Sequence, residues 1–353
     1  MSFEGRGVGN GVRLLAVAAA FIFCILTASG YAGDMEASLV EDFGDVTVMS
    51  LDGDDVVQEL EDNASDSRRT IANAFYETHG DDYDFLVMFT DFEFDMPRYT
   101  IGGEPAQAAG YYSSIKNDTD GLGQAPFDLS DDYGSAGRLQ GFITMGHLYN
   151  LETDPMEPDF SKLMRTMSHE LLHRFAADAR FVDATGAESE ALLWNYDPGA
   201  ENRRHWSYLL DTDGSLLYGN DWQDNGDGTF TSLPGRKYYS PLDLYLMGLV
   251  DKSEVPPMLL IDNPDINPEK LPQTGVTISG DALTVTIEDI IAAVGERIPS
   301  AANAPKEFKV GFILLTKPGE FLEKDYLVLS RIIPQWKMWF SALTDGRGPW
   351  GRL

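Results

Sequence analysis

The sequence predicts an α+β fold, in which a mixed sheet packs on one helix and the C-terminal part is mostly helical. Two short, continuous apolar runs, at 84–90 and 141–145, are typical of buried strands. Apolar residues recur at helical spacing between Phe160 and Phe175, directly after the second run. A strand, a long loop, a strand and a helix in this order indicate a sheet that the helix covers.

The remaining elements of the first 254 residues follow from local signals. Residues 46–49 are predicted as a strand and 67–76 as a helix. Residues 96–137, rich in Gly, Asp, Ser and Pro, are predicted as a long surface loop. Residues 187–194 are predicted as a helix. Ser240 is expected to cap a short helix that begins at the proline after it.

Three segments are predicted along the chain. Residues 1–30 form a signal peptide, 31–254 the main domain, and 255–353 a C-terminal α/β subdomain packed on it. A proline-rich linker at 255–273 marks the second boundary. Within the last segment we predict a strand at 282–287, a helix at 288–297, a strand at 308–316, and a helix at 322–343 bent at Pro334.

The N-terminal segment has the features of an export signal. Arg6 and Arg13 precede an apolar run at 14–28, and small residues follow it. The run is shorter than the roughly 20 residues that a membrane-spanning helix needs. The only cysteine, Cys24, lies within it, so the mature chain would have no disulfide. We expect a secreted or periplasmic protein with no stable membrane association after cleavage of the signal.

The charge of the chain excludes one class of partner. Asp and Glu number 57 against 26 Lys and Arg, which gives a formal net charge of −31. Such a surface repels the phosphate backbone of nucleic acids and anionic lipid headgroups. Nucleic acid is therefore not expected as a partner.

A His-Glu-x-x-His motif predicts a zinc site on the helix at 160–175. His169 and His173 are four residues apart, so both imidazoles can reach one metal ion while Glu170 stands beside them. Asp159 or Ser161 is expected to cap the start of this helix. A catalytic zinc ion takes three protein ligands and keeps a fourth position for water. The candidates for the third ligand are Asp178, Asp183, Glu188, Glu190 and His205.

His205 is favoured as the third ligand, with Glu188 or Glu190 as the alternatives. Neutral imidazole is a good zinc ligand, and the chain has only five histidines, whereas carboxylates are abundant. The bulky side chain of Trp206 is expected to wall the site. His79 and His147 have no partner at ligand spacing and are interpreted as structural.

The helix with His169, Glu170 and His173 resembles that of the zincin metallopeptidases. The resemblance implies a zincin-like fold for 31–254 and a glutamate that activates the zinc-bound water. It departs from the metzincin pattern, because Ala176 and Ala179 stand where that group has Gly and a third His. The gluzincin pattern would take its third ligand from Glu188 or Glu190.

A looser resemblance connects the chain to uncharacterised secreted bacterial proteins that also carry this helix. The residues that support it are His205-Trp206-Ser207, Asp211-Thr-Asp213, Gly219-Asn-Asp-Trp222 and the segment 240–248. This resemblance implies that the later histidine is the third ligand.

These observations predict an exported zinc-dependent endopeptidase that acts on a peptide or protein substrate, with Glu170 as general base. Tyr208 or Tyr239 could stabilise the oxyanion. The alternatives are a non-catalytic exported metal-binding protein and a zinc hydrolase of a non-peptide substrate. The acidic segment from Asp211 to Asp227 suggests a calcium site, but it does not match the spacing of a calcium-binding loop closely, and turn formation by its Asn-Gly and Asp-Gly pairs is the preferred explanation.

Overall fold

The computed structural model describes residues 35–62, 64–101, 104–194 and 205–348. Gly33–Leu353 form one compact unit. The predicted signal peptide, with Cys24, lies outside the described residues. None of the helices in the described residues is both long and apolar enough to cross a membrane.

The secondary structure mixes short helices with many strands. The strands are β1 (Glu36–Asp42), β2 (Thr47–Asp52), β3 (Phe85–Thr90), β4 (Arg98–Ile101), β5 (Glu104–Gln107), β6 (Tyr111–Ser114), β7 (Lys116–Asn117), β8 (Phe127–Asp128), β9 (Gly141–His147), β10 (Phe181–Val182), β11 (Glu188–Ser189), β12 (Trp206–Asp211), β13 (Tyr218–Asn220), β14 (Trp222–Asp224), β15 (Thr229–Ser232), β16 (Met258–Asp262), β17 (Thr277–Ser279), β18 (Asp281–Val285) and β19 (Val310–Thr316). The α-helices are α1 (Val56–Asp62), α2 (Ala64–Tyr76), α3 (Phe160–Leu172), α4 (Pro241–Leu246), α5 (Ile287–Val294) and α6 (Glu323–Leu343).

The main sheet has six strands in the order β1, β2, β19, β3, β9, β6. The four middle strands run parallel to one another, and the two edge strands are antiparallel to their neighbours. Every residue of β3 and β19 is buried. Strands buried on both faces require helices on both faces, which explains their continuous apolar sequences. The predicted α+β class and mixed sheet are confirmed.

Helices cover the two faces of this sheet with separate apolar cores. On one face, α2 contributes Ile71 and Phe75 to a core that contains Met88 of β3. On the other face, α3 contributes Met167 and α6 contributes Trp336 to the larger core. The motif helix therefore packs against both the sheet and the C-terminal helix.

The C-terminal segment supplies strands to both larger sheets. β19 lies between β2 and β3 at the centre of the main sheet. A second sheet, in the order β13, β12, β16, β18, also takes strands from both sides of residue 254. Both larger sheets therefore combine strands from before and after the boundary that the sequence predicts at 254/255.

Two local predictions are wrong. Residues 187–194 do not form a helix: β11 pairs with β10 in a hairpin. The Asp183 carboxylate accepts the backbone N–H groups of Thr185 and Ala187, and this turn chemistry overrides the weak helical pattern. Neither residue predicted to cap α3 does so with its side chain: Asp159 stands at the N-cap position, but its carboxylate pairs with Lys162, and the Ser161 hydroxyl donates to the Pro158 carbonyl.

The predicted loop at 96–137 contains a strand of the main sheet. β6 pairs antiparallel with β9, with Tyr112 opposite Ile143. The Tyr-Tyr-Ser-Ser sequence is short and bordered by turn residues, so its pairing depends on the presence of β9 rather than on a local signal. This strand brings the loop beside α3.

Candidate metal centre

Two buried hydrogen bonds hold the turn of α3 that carries the motif. The Tyr239 hydroxyl donates to the backbone carbonyl of Ser168 at 2.9 Å. The indole N–H of Trp336, from α6, donates to the Ser168 hydroxyl at 2.9 Å. Tyr239 is therefore part of the support of α3, and this contact argues against it as the oxyanion donor.

Three histidine side chains converge next to this turn. Nε2 of His169 lies 3.3 Å from Nε2 of His173 and 3.1 Å from Nε2 of His205. In a tetrahedral zinc site with Zn–N bonds of about 2.0–2.1 Å, neighbouring ligand nitrogens are about 3.3–3.4 Å apart. Each histidine offers a ring nitrogen within 4.8 Å of the other two. The spacing fits ligands of a single metal ion.

A backbone carbonyl fixes the orientation of His169. Its Nδ1–H donates to the carbonyl oxygen of Leu216 at 2.6 Å, which leaves the Nε2 lone pair directed at the other two imidazoles. Burial lowers the pKa of His169 to about 4. The neutral imidazole, which is the form that binds a metal, is therefore the stable one.

Two aromatic side chains contact His205. The Tyr218 ring stacks on its imidazole, with centroids 4.3 Å apart and an interplanar angle of 16°. Trp194 stands perpendicular to it at 6.0 Å. Tyr218 has a φ of +76°, which is unusual for an aromatic residue. The expectation that Trp206 walls the site is wrong: successive residues of an extended chain face opposite sides, and Trp206, next to His205, is fully buried in the core.

Glu170 lies against the edge strand of the main sheet. Its carboxylate accepts the backbone N–H of Tyr112 in β6, and burial raises its pKa to about 8. Its Cγ lies over Gly110, at only 2.7 Å from the position that a Cβ would take there. The sequence gives no signal that identifies Gly110 or Tyr112, because both reach Glu170 through sheet pairing.

The other candidates for the third ligand lie elsewhere. Glu188 is exposed and pairs with Arg180 at 3.6 Å. Asp178 accepts a hydrogen bond from Gln124 at 2.6 Å, and Asp183 holds the β10–β11 turn. Among the described residues, His205 is the predicted candidate that joins His169 and His173, and Glu190 does not enter this group.

The acidic segment divides into two parts. Asp211, Asp213 and Asp221 each offer an oxygen within 4.8 Å of the other two. Burial, and to a smaller extent the neighbouring carboxylates, raises the pKa of Asp211 to about 6. Asp224 and Asp227 instead accept backbone N–H groups in tight turns. Turn formation thus explains the second part, and calcium binding by the first stays a prediction.

The remaining two histidines lie apart from the metal centre. His79 stacks on Phe75 at 3.9 Å, and its Nε2 lies 3.2 Å from the Thr47 hydroxyl. His147, at the end of β9, contacts the ring edge of Tyr149. Both positions agree with the structural interpretation from the sequence.

Comparison with known proteins adds no relative. No protein-family model, curated protein or solved structure matches the chain.

Proposed function

We propose that the protein is a zinc-dependent peptidase with His169, His173 and His205 as metal ligands and Glu170 as general base. The convergence of three imidazole Nε2 atoms beside a buried glutamate is the observation that supports this proposal. Three nitrogen ligands from protein suit zinc and leave one position for water, as in catalytic zinc sites. Such an ion supplies a bound water whose pKa falls to about 7.

Glu170 is placed to move protons rather than to bind the metal. It follows His169 directly, and its carboxylate is held by the Tyr112 backbone N–H. We propose that it takes a proton from the attacking water and passes it to the leaving amine. The close contact with Gly110 restricts where its carboxylate can lie.

The edge strand β6 supports a peptide as the substrate class. It pairs with β9 on one side, and no strand of the described residues lies on its other side. Glu170 accepts the Tyr112 N–H of this edge, and the remaining backbone N–H and C=O groups of such an edge can pair with an extended peptide. Because Tyr112 of the same strand binds Glu170, a peptide on this edge would pass next to the general base.

The experiment compares Glu170→Gln with Glu188→Gln and the wild type. We expect all three to bind one zinc ion per chain, and only Glu170→Gln to lose hydrolysis of casein, by about 10²- to 10⁴-fold. Glu188 is an exposed glutamate and serves as the matched control. Full activity in Glu170→Gln would refute the mechanism. Zinc binding without hydrolysis in the wild type would favour a non-catalytic metal-binding protein or a non-peptide substrate.

We also propose that the protein is exported, on the basis of the Arg-flanked apolar run at 14–28. The N-terminus of the purified mature protein should then lie near Tyr31 or Gly33. N-terminal sequencing tests this, and a mature chain that still contains Cys24 would contradict it.

A further inference from the structure

We infer that Asp243 positions the metal ligands, although it contacts none of them. This inference rests on the proposed zinc site. Asp243 lies in α4 and is fully buried. Its Oδ1 accepts the indole N–H of Trp206 at 2.8 Å, and its Oδ2 accepts the hydroxyl of Ser215 at 2.6 Å. Oδ2 also accepts the backbone N–H and the hydroxyl of Ser240, both at 2.8 Å.

The bond to Trp206 acts on the residue next to His205. The Trp206 side chain is fixed in the core by Asp243, and its backbone N–H donates to the Leu217 carbonyl at 2.8 Å. Both the start of β12 and its contact with the 215–218 turn are therefore fixed. His205 directly precedes this strand, so the fixed start of β12 also fixes the position of the His205 backbone.

The bond to Ser215 acts on the turn that touches two ligands. The Ser215 backbone N–H donates to the Tyr218 carbonyl at 2.9 Å, and its hydroxyl accepts the N–H of Leu217 at 3.0 Å. Within this turn, the Leu216 carbonyl orients His169 and the Tyr218 ring stacks on His205. A shift of the turn would move the contacts of both imidazoles together.

The backbone of Tyr218 shows that this turn needs support. Its φ of +76° lies in the left-handed region, which is disfavoured for a residue with a large side chain. Such a conformation persists only where the surroundings fix it. The Ser215 hydrogen bonds and the stack on His205 supply that restraint.

A purely structural role for Asp243 is the alternative, because with Ser240 it also forms the capping box of α4. Two serines separate these roles. The hydroxyl of each serine donates to Asp243 Oδ2. The Ser215 hydroxyl also accepts the backbone N–H of Leu217, and the Ser240 hydroxyl accepts that of Asp243. Both are almost fully buried. Ser215→Ala and Ser240→Ala therefore remove equivalent hydrogen bonds, and of the two serines only Ser215 lies in the turn that contacts His169 and His205.

The test measures zinc affinity by chelator competition, the absorption spectrum of the cobalt-substituted protein, and thermal unfolding. We expect similar losses in melting temperature for both variants, about 10-fold weaker zinc binding for Ser215→Ala alone, and a changed cobalt spectrum for Ser215→Ala alone. Equal affinities and identical spectra in the two variants would overturn the inference. A wild type that binds no zinc would instead refute the proposed function, and the inference with it.

Trp206→Phe provides an independent test if Ser215→Ala does not fold. It removes the indole donor to Oδ1 and keeps an aromatic ring in the core. We expect it to weaken zinc binding by a similar factor. Wild-type zinc affinity and cobalt spectrum in folded Trp206→Phe would contradict the role assigned to Asp243.

Discussion

Replacing Gly110 with alanine should displace Glu170, the proposed general base, without touching a proposed metal ligand. A methyl group on Gly110 would lie 2.7 Å from Cγ and 2.9 Å from Oε1 of Glu170, and 3.0 Å from Cγ2 of Thr166. Ordinary van der Waals contact begins near 3.4 Å. Gly110 is not in the left-handed region, so the substitution adds crowding but no backbone strain.

The size of the displacement sets the expected loss. To restore ordinary contact, the Glu170 side chain or the strand must yield by about 0.7 Å. A misplacement of about 1 Å in a catalytic group can reduce the rate by about 10². We therefore expect Gly110→Ala to lower kcat/KM by about 10- to 100-fold, less than Glu170→Gln. Crowding should also lower the free energy of unfolding by about 1–3 kcal/mol.

The measurement is peptide hydrolysis alongside zinc content at a temperature where all variants are folded. Gly80→Ala is the control, since Gly80 is exposed, has no positive φ, and has no described atom within 4 Å of the position that a Cβ would take. Gly110→Ala should keep its zinc and lose activity, whereas Gly80→Ala should keep both. Equal kcat/KM for the two variants would show that the position of Glu170 does not limit the reaction.

Two further experiments test the ligand set and the acidic segment. His205→Ala should lose zinc on dialysis, whereas Glu188→Ala and Glu190→Ala should retain it; the reverse result would indicate a gluzincin arrangement. Asp211→Asn should raise the free energy of unfolding at pH 7 by about 1 kcal/mol without divalent cations. In the wild type the pKa of folded Asp211, about 6, lies above its unfolded value. The stability that its protonation contributes is therefore fully present below about pH 4 and lost by about pH 7, where the buried carboxylate is charged. Denaturant unfolding at pH 4 and pH 7 measures this, and equal stabilities of variant and wild type at pH 7 would contradict it.

The central strands could be predicted from sequence because burial on both faces leaves a continuous apolar run. β3, β9 and β19 all carry this signal. β6 does not, since an edge strand of four residues with one exposed tyrosine resembles a loop. The hairpin at Glu188 could not be predicted for a related reason. Two-residue strands have no periodicity, and the only local signal for this hairpin is the turn at Asp183.

The candidate site divides in the same way between local and long-range information. His169, Glu170 and His173 follow from spacing on one helix, because helical geometry alone places them together. His205 joins them through β12, and its selection over the glutamates required chemical reasoning about scarce imidazoles. Tyr218 shows no local signal at all, since its stack on His205 depends on a turn that Asp243 holds from another element.

The long-range contacts also decide which part of the chain can form the centre. Trp336 of α6 donates to Ser168, and β19 separates β2 from β3 in the main sheet. Both belong to the segment after residue 254. A chain ending there would lose the middle strand of its sheet and one of the two bonds that support the motif turn. The candidate metal centre therefore depends on elements from both sides of residue 254.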